Sequence, residues 1–193
     1  MLGDKPDMME HAHALDSRIF LEDPERSLMF VLAQEGADVV VTDIIQSLNA
    51  IRPEDSQAGW QGLPSVVEEI EAMGRQALAV YSDVSDGKDV ASMLSQALEK
   101  FGHVDILVNT AGSRPGKARV LVVELEEEAF DEVQRVNVRG TYLCSKAVAQ
   151  HMIARGGGGK IINISSGAGR VGSAFNPPYN ASKAAVISIT QSM

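Results

Sequence analysis

From Leu28 onward the sequence alternates between short β-branched runs and amphipathic stretches of helical period. That alternation constrains the fold more than any other feature, because a strand–helix–strand rhythm builds a parallel sheet covered by helices on both faces. A helix is predicted over 28–35, closed by Gly36 as a C-cap residue, then a strand over 38–43. A helix over 64–73 with Gly74 after it leads to a strand over 76–81, and a helix over 88–100 to a strand over 104–109. A longer helical pattern runs from about 126 to 154. The glycines Gly156 to Gly159 turn the chain into a strand over 160–166, and a last helix runs from Pro178 to the end. The polar stretch 44–63, with Pro53, Gly59 and Trp60, reads as an ordered loop or short insertion. The fold class is α/β, a doubly wound parallel sheet.

The chemistry lies near the end of the chain. In Pro177-Pro178-Tyr179-Asn180-Ala181-Ser182-Lys183, the tyrosine and lysine are four residues apart at the opening of a helix. Residues at that spacing share one helix face, so phenol and ammonium sit side by side. A neighbouring cation favours phenolate, which suits a tyrosine to exchange a proton with a substrate. Ser166 ends the apolar run Lys160-Ile161-Ile162-Asn163-Ile164-Ser165-Ser166, thirteen residues before Tyr179.

Composition excludes several other classes. A formal charge of −9 without a clustered Lys/Arg stripe argues against a nucleic-acid surface. No apolar run is long enough to span a membrane, and the N-terminus lacks the pattern of a signal peptide. Cys144 is the single cysteine, which rules out an internal disulfide and fits a reducing cytoplasm. His11 and His13 have metal-like spacing but no recurring acidic or cysteine partners, so they read as a solvated tail and no metal site is expected. The acidic run Glu124 to Glu128 reads as charge bias at a helix N-terminus.

Five segments together resemble the short-chain dehydrogenase/reductase family: Asn109-Thr110-Ala111-Gly112 after a strand, Asn137 within Val136-Asn137-Val138-Arg139-Gly140, Ser166, Tyr179 and Lys183. The resemblance covers roughly 28–193. It implies a Rossmann-like fold in which a nicotinamide cofactor lies across the carboxyl ends of the strands, and a small-molecule alcohol or carbonyl compound as substrate. It further implies Tyr179 as general acid/base and Lys183 as its partner and a ligand of the nicotinamide ribose. Ser166 would hydrogen-bond the substrate oxygen, and Asn137 would hold a water that relays protons from Lys183. Asp43, ending the second of the family's strands, would accept from the adenosine ribose hydroxyls and repel a 2′-phosphate, which favours NAD over NADP. Asp83 and Val84 resemble the family's adenine contact. Asn109, Ala111 and Gly112 would let backbone approach the cofactor, with Thr110 where the family more often has a second asparagine.

Two departures shape the remaining expectations. The family opens with a glycine-rich turn that cradles pyrophosphate at a helix N-terminus. Here Ser17-Arg18-Ile19-Phe20-Leu21-Glu22-Asp23-Pro24-Glu25-Arg26 contains no glycine, and its acids occupy that helix start. Residues 17–21 are the candidate stand-in for a first, central strand. The chain also stops at Met193, inside the catalytic helix of the pattern. The sequence therefore reads as a divergent or flexible segment over 1–23 followed by a truncated dehydrogenase domain over 24–193, with the family's homo-oligomer contacts weakened. A catalytically silent family member, or a partner of a complete subunit, is the second reading.

Overall fold

The computed structural model describes residues 24–44, 62–113 and 118–193. Helix α1 (Pro24–Gln34) leads through Gly36, at a φ of 96° that favours glycine, into strand β1 (Val39–Asp43). Helix α2 (Leu63–Ala72) connects β1 to strand β2 (Ala77–Tyr81), which pairs with β1 in parallel, Val39 opposite Ala77 and Asp43 opposite Tyr81. The apolar stripes of α1 and α2 close over this pair. Ala33, Leu63, Val66 and Ile70 bury against Val39, Val41 and Ala77. Helix α3 (Gly87–Phe101) follows, its N-terminus capped by Asp86, whose carboxylate accepts from the Lys88 and Asp89 amides.

Strand β3 (Ile106–Asn109) pairs in parallel with strand β4 (Lys160–Asn163), and Asn109 stands opposite Asn163. The crossover between them is one long helical run in three parts. Helix α4 (Glu127–Gln134) passes through a π-helical turn (Arg135–Gly140) into helix α5 (Thr141–Arg155). Helix α6 (Pro177–Gln191) follows β4, with prolines in its first turn, where their missing N–H leaves no bond unmade. The strand–helix alternation and the parallel pairing agree with the α/β expectation.

Among the described residues the strands form two separate parallel pairs, β1–β2 and β3–β4. A ladder requires a neighbour about 4.8 Å away, and no described strand bridges β1 and β3. The segment 17–21, expected to stand in as a central strand, lies outside the described residues, as do His11, His13 and most of the 44–63 stretch. Side-chain packing joins the two pairs. Val80, Val90, Met93 and Cys144 form a second core, and Val40 of β1 and Leu107 of β3 both pack on it. Burial drives the Cys144 thiol up to about 11, as expected of a cysteine that serves as core. Among the described residues no helix is long and apolar enough to cross a membrane.

Candidate active site

The carboxyl ends of β3 and β4 gather the sequence candidates that carry chemistry. Beyond β4 the chain stays extended through Ser166, and the Ile164 amide continues the ladder by donating to the Asn109 carbonyl at 3.0 Å. A 3-10 turn (Gly167–Gly169) begins there, capped by the Ser166 hydroxyl oxygen, which accepts from the Ala168 amide. That acceptor role leaves the hydroxyl hydrogen to donate elsewhere. The chain then reaches α6 through Phe175, a bulky residue at φ 64°. The Asn180 amide side chain donates to the Ser173 carbonyl, so the loop is pinned to the first turn of α6.

Tyr179 and Lys183 lie one turn apart on α6, as their spacing predicts. The lysine is 7% exposed, and its ammonium stands 5.7 Å from the centre of the Tyr179 ring. Within that distance a cation is attracted to the negative face of an aromatic ring. The same ammonium donates to the Ile164 carbonyl at 2.9 Å.

Asn137 occupies the middle of the π-helical turn and is 1% exposed. Its side chain is committed at both ends. The oxygen accepts from the Ser113 amide at 2.7 Å, and the nitrogen donates to the Ser182 hydroxyl at 2.9 Å. Ser182, itself fully buried, donates to the Tyr179 carbonyl. Asn137 thus ties the segment after β3, the crossover helix and the first turns of α6 together. Its main-chain carbonyl accepts from the Thr141 hydroxyl. A π-turn widens the backbone ring and reorients one residue, a device frequent at functional sites.

Asn109, at the end of β3, donates to Asn163 across the ladder and to Ser145 on α5. Ala111 and Gly112 beyond it are exposed. A Cβ on Gly112 would stand 3.4 Å from the Asn137 side-chain oxygen, so the segment lies close against that asparagine.

The other candidates lie at the carboxyl ends of β1 and β2. The Ser82 amide donates to the Asp43 carbonyl, which brings Asp43 and Asp83 to one edge. Burial alone would raise the Asp83 carboxyl. Hydrogen bonds from the Ser85 hydroxyl and amide and from Arg135 outweigh that and hold it below the ordinary carboxylate value of 3.8. Arg135 bonds Ser85 as well. Val84 is packed against Gly140, where an added Cβ would meet its methyl at 2.8 Å. The Ser82 hydroxyl is buried at this edge without a hydrogen-bond partner among the described residues. An orphaned buried hydroxyl is rare in folded proteins and fits a site that a polar ligand completes.

Nothing in the sequence pattern marks Ser182, Ser113 or Arg135. Ser182 lies inside the Tyr–Lys spacing and could be found only by its helical register, one turn from Tyr179 on the buried face. Arg135 meets Asp83 across more than fifty residues of chain, beyond the reach of any local pattern.

The model of the short chain dehydrogenase family matches residues 26–193 of this chain. Among curated proteins, a 2-dehydro-3-deoxy-D-gluconate 5-dehydrogenase of Escherichia coli is 35% identical over 84% of this chain and 56% of its own length. A sorbitol dehydrogenase of Cereibacter sphaeroides is 37% identical over 86% of this chain and 57% of its own. Among solved structures, an NAD+-bound xylitol dehydrogenase superposes with a TM-score of 0.72 at 26% identity, covering 86% of this chain and 58% of that one. The chain thus spans a little over half the length of the relatives it matches.

Proposed function

The chain belongs to the short chain dehydrogenase family, and from that premise we propose that it interconverts an alcohol and a carbonyl compound with a nicotinamide nucleotide. The observation that carries the proposal is Lys183, buried on α6 with its ammonium 5.7 Å from the Tyr179 ring, beside the segment that presents Ser166.

A bound nicotinamide supplies or accepts the hydride. The chain's own residues supply the rest. Reduction of a carbonyl builds negative charge on its oxygen, and donors already aimed there stabilise that charge most. Ser166 Oγ, with its hydrogen left to donate, and the Tyr179 hydroxyl are those donors, and Tyr179 is the one that gives up or takes the proton. Lys183, with its ammonium 5.7 Å from the ring centre, favours the phenolate form of Tyr179. Asn137, held by Ser113 and Ser182 through its side chain, would hold the water that relays protons from Lys183.

The residues at the carboxyl ends of the strands fit a dinucleotide. Asp43 would take the adenosine ribose hydroxyls, Asp83 and Val84 the adenine side, and Asn109, Ala111 and Gly112 the nicotinamide side. Asp43 favours NAD over NADP, since a carboxylate repels a 2′-phosphate. Relatives named for dehydrogenation of sorbitol, xylitol and a sugar acid make polyols and sugar acids the first substrates to try.

The test is a titration of the purified chain with NADH and NADPH followed by fluorescence, then turnover of a polyol panel. Tighter binding of NADH and polyol-dependent NADH formation are expected. Absence of binding to either nucleotide would leave the catalytically silent reading in its place.

A further inference from the structure

The segment that carries Ser166 grips Lys183 at three points. The lysine ammonium donates to the Ile164 carbonyl at 2.9 Å. The Ser165 hydroxyl donates to the Lys183 main-chain carbonyl at 2.8 Å. Gly169, at the far end of the 3-10 turn, lies flat against the same peptide. A Cβ there would stand 2.6 Å from the Lys183 carbonyl carbon, 2.7 Å from its oxygen and 2.9 Å from the Ala184 nitrogen. All three are backbone atoms in the interior of α6, which have no rotamer to move into. Gly169 does not occupy the left-handed region, so glycine is required there for space and not for its backbone angles. Gly167 and Gly172, in the same loop, would meet nothing within 4 Å. The close approach belongs to one glycine.

We propose that Gly169 and Ser165 are positioning residues that set Lys183, and with it Tyr179, against Ser166. The proposal deepens the dehydrogenase reading and rests on it for its catalytic consequence. Neither residue touches substrate or nucleotide in that reading; both act through Lys183. A methyl at position 169 wedges the 3-10 turn away from α6, and the turn starts at Ser166. The displacement therefore separates the Ser166 hydroxyl from the Tyr179–Lys183 face and lengthens the Ser165 bond together. Misplacement of about 1 Å in such a constellation costs up to about 100-fold in rate.

Site-resolved acetylation with an amine-reactive ester, read by mass spectrometry on the full chain, tests the clamp without any need for turnover. Lys88, Lys100, Lys146 and Lys160 serve as internal references. Gly169→Ala is expected to raise the rate at Lys183 alone by about 10-fold, as for a locally opened site. Ser165→Ala gives a smaller rise that Ser165→Thr reverses by restoring the hydroxyl, and Gly172→Ala gives none. In the wild type's alcohol oxidation, Gly169→Ala lowers kcat by about 10- to 100-fold while the alcohol KM stays within about 2-fold.

Lys183 reactivity unchanged in both Gly169→Ala and Ser165→Ala overturns the clamp, as does an equal rise at every lysine. If Gly169→Ala does not fold, the Ser165→Ala and Ser165→Thr pair decides. A wild-type chain without turnover defeats the dehydrogenase reading only, and the acetylation pattern still settles whether Gly169 and Ser165 hold the lysine.

Discussion

The two strand pairs share one architecture and are held together by different forces. Around β1–β2, seven apolar side chains from four elements close into a single buried cluster, with Ile70 fully out of solvent. Around β3–β4, Leu107 packs on the second core but Ile106 and Ile162 are more than 40% exposed, and side-chain hydrogen bonds add to the apolar packing. Asn109 bonds Asn163 and Ser145, Asn163 bonds Thr190, and Asn137 bonds Ser113 and Ser182. Apolar burial is non-directional and tolerates small shifts, whereas a hydrogen bond fixes distance and angle. The half expected to hold adenosine needs a stable shelf. The half expected to move a proton needs atoms at set positions, and it is the half built from directional bonds.

That contrast breaks first at Tyr179. Tyr179→Phe keeps the ring and removes the proton, so turnover should fall by about 100- to 10,000-fold while NADH binding by fluorescence stays near wild type. Turnover that survives this change removes the proton-transfer role from the β3–β4 half. In the other half, Ile70→Ala should cost about 2–5 kcal/mol of stability in chemical denaturation through the cavity it leaves, with kcat little altered at temperatures where the chain stays folded. Asn137→Ala should destabilise by about 1–3 kcal/mol, since it removes the side-chain bonds to the Ser113 amide and to the Ser182 hydroxyl. Unlike Ile70→Ala it should lower kcat too, and equal effects of the two on kcat would erase the distinction between the halves.

The smallest effect concerns the tie between them, Arg135 on Asp83. The Asp83 carboxyl is lowered in the folded chain, so the stability it adds is present above the ordinary value of 3.8 and is lost as the pH falls through the lowered one. Arg135 is about half exposed, which limits the pair to about 0–1 kcal/mol. Asp83→Asn should therefore lower Tm slightly at pH 7, and the gap should shrink as the pH falls below 3.8; a gap that widens in acid contradicts the assignment.

The sequence was most legible where structure is local. Among the described residues each expected strand and helix has its counterpart within a few residues, because apolar period and glycine punctuation report backbone geometry directly. The catalytic candidates were legible for the same reason, since the Tyr179–Lys183 spacing is itself a helical turn. What was hidden depends on distant parts of the chain. Val136-Asn137-Val138-Arg139-Gly140 reads as ordinary helix, and only contact with Ser113 and Ser182 gives its π-turn a purpose. Gly169 reads as one more loop glycine until the Lys183 backbone is found against it.

The most direct test of the account is isotope transfer. The purified chain is incubated with NADH deuterated at the nicotinamide C4 position and a ketose or other carbonyl compound, and the alcohol product is analysed by mass spectrometry and NMR. Deuterium is expected on the carbinol carbon, one atom per turnover from one face of the nicotinamide, and it should be lost in Tyr179→Phe. Product alcohol without deuterium from either face, or labelling undiminished in Tyr179→Phe, would contradict the assignment of proton-coupled hydride transfer to the β3–β4 site.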